Sequence, residues 1–268
     1  MAAVSISGSP ADELTDDQLE RYARHVILDE VNEEGQLRLL ASKVCVVGAG
    51  GLGSPVLLYL AAAGVGTLGI VDFDTVDATN LQRQIIHSEE DIGDAKTTSA
   101  KEKINLLNPE INVEVHRTRL TAENAMEILA GYDLIVDGSD TFESRYLVND
   151  ACFFLKKPLV SAAILRFEGQ LSTFKPHEGG PCYRCLFPTT PDPTLVPRCD
   201  TVGIFGAIAG VVGSMQATEV LKELLGLGKS MTGRLLLYDA LDQTTTTINT
   251  KRNPSCALCG DEPTITSL

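Results

Sequence analysis

The stretch that most limits what this chain can fold into is VCVVGAGGLGSPVLLYLAAAGVGTLGIVDFD, residues 44–74. A short apolar run rich in valine leads into Gly48, Gly50, Gly51 and Gly53, and an apolar segment of helical length follows. Continuous apolar runs of this kind are the mark of parallel strands buried on both faces. A G-x-G-x-x-G turn after such a strand aims backbone N–H groups at a phosphate from the start of a helix. The next apolar run closes on Asp72, where a ribose-binding acid belongs. The glycine turn by itself does not choose between nucleotides. A tight turn that binds nothing, and a strand-end acid that caps a neighbouring turn, remain alternatives.

The rest of the chain agrees with an α/β fold. Thr15 and Gln18 form a capping box that opens a helix through LTDDQLERYARHVIL. Residues 95–107 read as a helix stopped by Asn108-Pro109, INVEVHR alternates as a strand, and TAENAMEILAG is helical. DLIVDG is a second buried strand, ending in acids, with a further helix starting near Phe142. This β-α-β-α-β succession predicts a Rossmann-like, doubly wound parallel sheet. Past Lys157-Pro158 the strands EGQLSTFKP, GRLLLYDA and TTTTINT follow with one strong helix, residues 204–225, among them. They predict an antiparallel extension of the same sheet. Gly206, Gly210 and Gly213 mark a close-packing face on that helix. Residues 1–13 and 261–268 read as loose tails around one domain, 14–260, with a nucleotide half at about 43–160 and a second half at about 161–260.

Charge narrows the ligand. Lys and Arg number 22 against 36 Asp and Glu, a net charge of −14, which argues against nucleic acid or an anionic membrane as partner. The N-terminus lacks the basic and apolar regions of a signal peptide, and the longest apolar stretch is too short to cross a bilayer, so a cytoplasmic protein is expected. Against that acidic background Arg83 and Lys96 follow soon after Asp72. A diphosphate is satisfied by a helix terminus, whereas a triphosphate about to lose pyrophosphate needs cations on its oxygens. Asp137 and Asp140 end a buried strand at the edge where such sheets bind ligands, and a carboxylate there suits magnesium on phosphates. Capping the next helix is the competing reading of Asp140.

The seven cysteines divide by context. CYRC (Cys182, Cys185) and CALC (Cys256, Cys259) have the spacing of a closed, structural four-thiolate zinc site. Cys45 and Cys152 sit in apolar runs and read as core. Cys199 lies in the proline-rich loop between residues 181 and 201, just before a helix start that would favour a thiolate. His25, His87, His116 and His177 are scattered and take no role.

RYARHVIL, VGAGGLGS, DFDTVDATNLQRQIIH, GDAKTTSA, SDTFESRY, PCYRC, GVVGSMQATEVLK and NPSCALCG, in this order, resemble the MoeB/ThiF family, nearest its MoeB-type members, over residues 14–260. The resemblance implies ATP-dependent adenylylation of the C-terminal Gly-Gly carboxylate of a small ubiquitin-like sulfur carrier protein. It implies that Gly48, Gly50, Gly51 and Gly53 cradle phosphates, that Asp72 binds ribose, and that Asn80 and Arg83 contact phosphates. Asp74, Thr79, Leu81, Gln82 and Thr141 complete the nucleotide site. Lys96 would neutralise the reacting phosphate and Asp140 would bind magnesium. Thr141 stands where many members have Asn. Arg24 matches an arginine supplied from the other subunit of a homodimer, and the second half of the domain would bind the carrier. Cys199 matches a loop cysteine that in some relatives takes the carrier covalently; that role and a bystander thiol both stay open. With no sulfurtransferase segment after Leu268, a separate protein is expected to donate sulfur. Two other functions compete. A NAD-dependent dehydrogenase lacks a catalytic His or Tyr-Lys pair, and a non-catalytic zinc-stabilised nucleotide-binding scaffold would fail to exchange pyrophosphate.

Overall fold

β1 (Lys43–Val47) turns Val44 and Val46 toward one hydrophobic core and Cys45 and Val47 toward another. A strand buried on both faces has to be covered by helices on both sides, and this sets the architecture. The structure, a computed structural model, describes residues 1–189 and 203–268. Its sheet adds β2 (Thr67–Val71), β3 (Asn112–His116), β4 (Leu134–Asp137), β5 (Leu159–Leu165), β6 (Glu168–Phe174), β7 (Arg234–Asp239) and β8 (Thr244–Asn249). The eight strands lie in the order β3-β2-β1-β4-β5-β6-β7-β8. β3 through β5 are parallel, and β6, β7 and β8 continue antiparallel.

The strand order reverses direction at β1 and β4, and a crevice opens outside their carboxyl ends. α4 (Gly53–Ala63) leaves this point and is apolar nearly all round: Val56, Leu57, Leu60 and Ala61 are fully buried. It needs no polar face because the sheet lies under it and α9 (Gly206–Leu225) packs beside it. Gly64, in the left-handed conformation, ends it. α5 (Lys96–Leu107) packs against α4 and β3, while α6 (Ala125–Ala130) and α7 (Phe142–Leu155) cover the opposite face.

Several local expectations change. The first helix is broken at Tyr22 into α1 (Asp16–Arg21), capped by Thr15 and Gln18, and α2 (Ala23–Val26). α3 (Asn32–Ala41) and β5 were not apparent in the sequence pattern. Of the three helix glycines, Gly206 meets Gln82 and Gly213 meets Pro55 and Leu52, but Gly210 faces open space. The crossing partners reach α9 at two separate places, and Gly210 falls between them. Both terminal segments are anchored at particular residues. Val4 is buried and its N–H bonds the Glu223 carbonyl, and Ser7 donates to Asp133. Ile265 packs on the cysteine cluster. Cys199, its covalent role included, lies outside the described residues. Among those described, no helix is long and apolar enough to cross a membrane.

Candidate functional site

The glycine turn is held by its neighbours rather than by its own sequence alone. Gly48 has φ +96, a region L side chains rarely occupy, and a Cβ on Gly53 would lie 1.9 Å from the Gly48 carbonyl oxygen. Between them, the Ala49 peptide is gripped from both sides. Its N–H donates to Asp72 Oδ2 at 2.8 Å, and its carbonyl lies 2.9 Å from His87 Nε2. A carbonyl only accepts, so Nε2 carries the proton and Nδ1 accepts from the Ser99 hydroxyl at 2.7 Å. Burial pushes the His87 pKa down, which keeps this neutral tautomer. Burial also pushes the Asp72 carboxyl up, against the hydrogen bonds from Asp74 and Ala49. His87 was given no role from sequence, because its partners are distant in the chain.

Around this turn a cleft of about 360 Å³ brings together Gly48, Gly50, Gly51, Asp72, Asp74, Arg83, Lys96, Asp140 and Thr141. Lys96 is 7 % exposed and opens α5, where the helix dipole disfavours a cation. Its ion-pair partner among the described residues is Asp74, at 3.2 Å, and its charge also acts on Asp72. Arg83 lays its stem along Gly51 and donates to the Thr79 carbonyl at 3.1 Å. Asp140 is exposed and makes no hydrogen bond or ion pair among the described residues. The α7 cap is Thr141, whose hydroxyl accepts from Ser144 N at 3.2 Å. Asp140 is thereby free of the capping role weighed for it.

Other expected residues lie beyond the cleft lining. Gly53 serves the turn by close packing. Thr79 and Asn80 form a one-turn 3-10 helix capped by Asp77, and Leu81 and Gln82 follow it toward Arg83. Arg24 is exposed on α2. Asp137 is corrected: it is 1 % exposed and accepts from Ser139 and Ser161, so it braces the end of β4 instead of facing a ligand. Arg145, Gln84 and Arg119 line the cleft without having been singled out. No short motif unites them.

At the rear of α7 the four cysteines converge, Cys182 and Cys185 around the short α8 (Tyr183–Leu186). Cys182 Sγ lies 3.8 Å from Cys185, 3.6 Å from Cys256 and 3.4 Å from Cys259, and Cys185 lies 3.3 Å from Cys259. All four are free thiols, with sulfur atoms within 4.8 Å of one another. Four sulfurs about 2.3 Å from one tetrahedral zinc stand ~3.8 Å apart, so the donor set fits that ion. Hydrogen bonds from Cys182 and Cys259 hold the Cys185 thiol well below the usual thiol range, and donating to Cys185 pushes Cys182 up. Such a cluster favours one thiolate at its neighbours' expense until a cation lets all ionise. The Cys185 sulfur also accepts from Asn253 N at 3.3 Å, a contact that orients it.

Comparison with known proteins places these features in one family. The ThiF family model matches residues 22–258. A sulfur carrier protein adenylyltransferase of Thermus thermophilus is 53% identical, over 93% of this chain and 94% of its own. The SAMP-activating enzyme E1 of Haloferax volcanii is 52% identical, over 91% and 90%. A crystal structure of E. coli MccB with ATP superimposes with a TM-score of 0.78 at 23% identity, covering 89% of this chain and 74% of that one, and attests the fold. With a family match over most of its length and relatives identical at half of their positions, the chain belongs to the ThiF family of E1-like adenylyltransferases.

Proposed function

We propose that this protein uses ATP to adenylylate the C-terminal glycine carboxylate of a small ubiquitin-like sulfur carrier protein. The observation that carries the reading is a glycine turn sharing one cleft with two cations, Arg83 and Lys96, in a chain of net charge −14. The carrier's carboxylate is a poor acyl donor because its leaving group would be oxide. One carboxylate oxygen attacks the α-phosphorus of ATP. A new P–O bond forms, the bond to the bridging oxygen breaks, and pyrophosphate departs with the electron pair. The resulting mixed anhydride has AMP as a good leaving group for sulfur transfer.

This chemistry asks for position and charge, not a protein nucleophile. The turn at residues 48–53 receives the phosphates, Asn80 and Arg83 hold them from the side, and Thr79, Leu81 and Gln82 shape that approach. Asp72 and Asp74 face the ribose. Lys96 exchanges Asp74 for the reacting phosphate. Asp140, with Thr141 beside it, would hold magnesium, which when bound neutralises charge on the departing pyrophosphate. The four cysteines would hold a structural zinc ion. Arg24 lies outside its own cleft, which fits delivery to the cleft of a second copy in a homodimer. The sulfur itself comes from a separate donor, and the reaction is placed in the cytoplasm.

The test is pyrophosphate exchange. Purified protein with ATP, magnesium and a Gly-Gly-terminated carrier is expected to exchange labelled pyrophosphate into ATP, and ATP but not NAD is expected to raise its melting temperature. Stabilisation by NAD alone, or no exchange with any carrier, would overturn the reading. Mixing Arg24→Ala and Lys96→Ala proteins is expected to restore part of the exchange, since one site of each mixed dimer is then intact.

A further inference from the structure

The cleft extends beyond what a phosphate site needs. Along its floor the strand ends run β4, β1, β2, β3, and neighbouring strands are ~4.8 Å apart. The glycine turn follows β1 and Asp72 follows β2. A nucleotide with its phosphates on the first and its ribose on the second projects its base over the end of β3. Arg119 lies there, and with Phe73 and Leu120 it lines that end of the cleft.

Arg119 is held for a purpose. Its Cζ stands 3.9 Å from the centroid of the Phe73 ring, and Phe73 is 45% exposed. Among the described residues its guanidinium has no carboxylate and no hydrogen bond, although the chain is rich in acids. The backbone that carries it is fixed: the Arg119 carbonyl accepts from Asn124 Nδ2 at 3.0 Å and from the Thr118 hydroxyl at 3.2 Å. Two strand spacings, ~10 Å, separate it from the glycine turn, which is too far for direct contact with the phosphates.

Resting on the ATP reading above, we propose that Arg119 is a specificity-determining residue for the nucleobase, its guanidinium plane stacking on adenine while Phe73 supports the opposite face. A guanidinium is planar and weakly hydrated, so it stacks where an ammonium does not. The base then needs no other aromatic partner, in keeping with a chain that contains no tryptophan.

The experiment compares Arg119→Ala, Arg119→Lys and Phe73→Ala with the parent protein in two measurements. In carrier-dependent pyrophosphate exchange, Arg119→Ala is expected to raise the KM for ATP roughly five- to thirty-fold, with kcat within about twofold. In calorimetry, which needs no catalysis, adenosine is expected to bind more weakly by a similar factor and tripolyphosphate to bind unchanged. Arg119→Lys should resemble Arg119→Ala because it keeps the charge and loses the plane, and Phe73→Ala should fall between. Recovery of the parent KM by lysine would overturn the proposal, as would equal weakening of adenosine and tripolyphosphate, or no change in either. Failure of the adenylylation reading looks different: the parent protein itself would exchange no pyrophosphate, while adenosine binding would still report on Arg119.

Discussion

The two ends of α7 hold sites built on opposite plans. At its start, Thr141 and Arg145 face the cleft, and polar capacity is left unspent. Buried Gln84 Oε1 and Arg145 Nε have no partner among the described residues, and the ion-pair partner of Lys96, Asp74, is half exposed. Farther along, the polar side chains of α7 itself are paired, and the one buried group left over there among the described residues is the Tyr183 hydroxyl. Asn149 accepts from Tyr183 N at 2.8 Å, and Asp150 takes both arms of Arg184, at 2.8 and 2.7 Å, between the two cysteines of the CYRC turn. Phe153 and Phe154 then pack on the four thiols. A site for a passing ligand keeps its backbone rigid and its charges available. A permanent site closes on itself, and an unpaired buried group would only cost stability there.

The contrast can be broken by asking whether each site fails in its own way. The largest effect is expected at the open end. Lys96→Ala should lower the rate of adenylylation by ~10²- to 10³-fold, the usual cost of losing one charge-stabilising donor. Zinc content should stay unchanged, as read by metal analysis of the same sample. Next comes the closed end. Cys182→Ala should lose the metal and lower the melting temperature by on the order of 10 °C. The surviving folded protein should bind ATP within about threefold of the parent by calorimetry. Collapse of ATP binding with the metal would mean that α7 ties the two sites into one.

The smallest effect sharpens how the open end is braced. His87 is held neutral, with its pKa below the ordinary 6.5. The unfolded chain therefore takes up the proton first. The stability that His87 contributes is complete above that value and is lost as pH falls through the lower folded pKa. Urea unfolding on either side of pH 6.5 should show the advantage of the parent over His87→Asn shrinking in acid, by at most ~1.4 kcal/mol per pH unit. An advantage that did not change with pH would show that the imidazole acts only through packing.

What could be read from sequence was what lies close together in the chain. The valine run, the glycines and Asp72 sit within one βαβ unit, so their spacing carries their geometry, and the sheet's change from parallel to antiparallel showed in the loss of intervening helices. Paired cysteines announced themselves by repetition of one spacing. Residues that act across the sheet were silent. Arg119 follows β3 and Arg145 lies in α7, and only the strand order brings them to one cleft. His87 reaches Ser99 and Ala49 from a loop with no periodicity. α3 was missed because part of its buried face is polar: Gln36 is fully buried and donates to the Ala63 carbonyl. Asp137 and Asp140 looked equivalent, yet one ends a buried strand and the other has left it.

The docking of the first residues has a consequence for how the protein is made. Val4 takes its backbone partner from Glu223, and Arg38 secures both Val4 and Leu224 through their carbonyl oxygens. The segment around Val4 thus waits for residue 223 to be made before this contact exists. Until α9 is synthesised and packed, the Val4 N–H lacks its acceptor and the Arg38 guanidinium lacks the Leu224 carbonyl. Closure of this seam follows synthesis of α9, so a chain released before residue 223 would leave Val4 without its backbone partner.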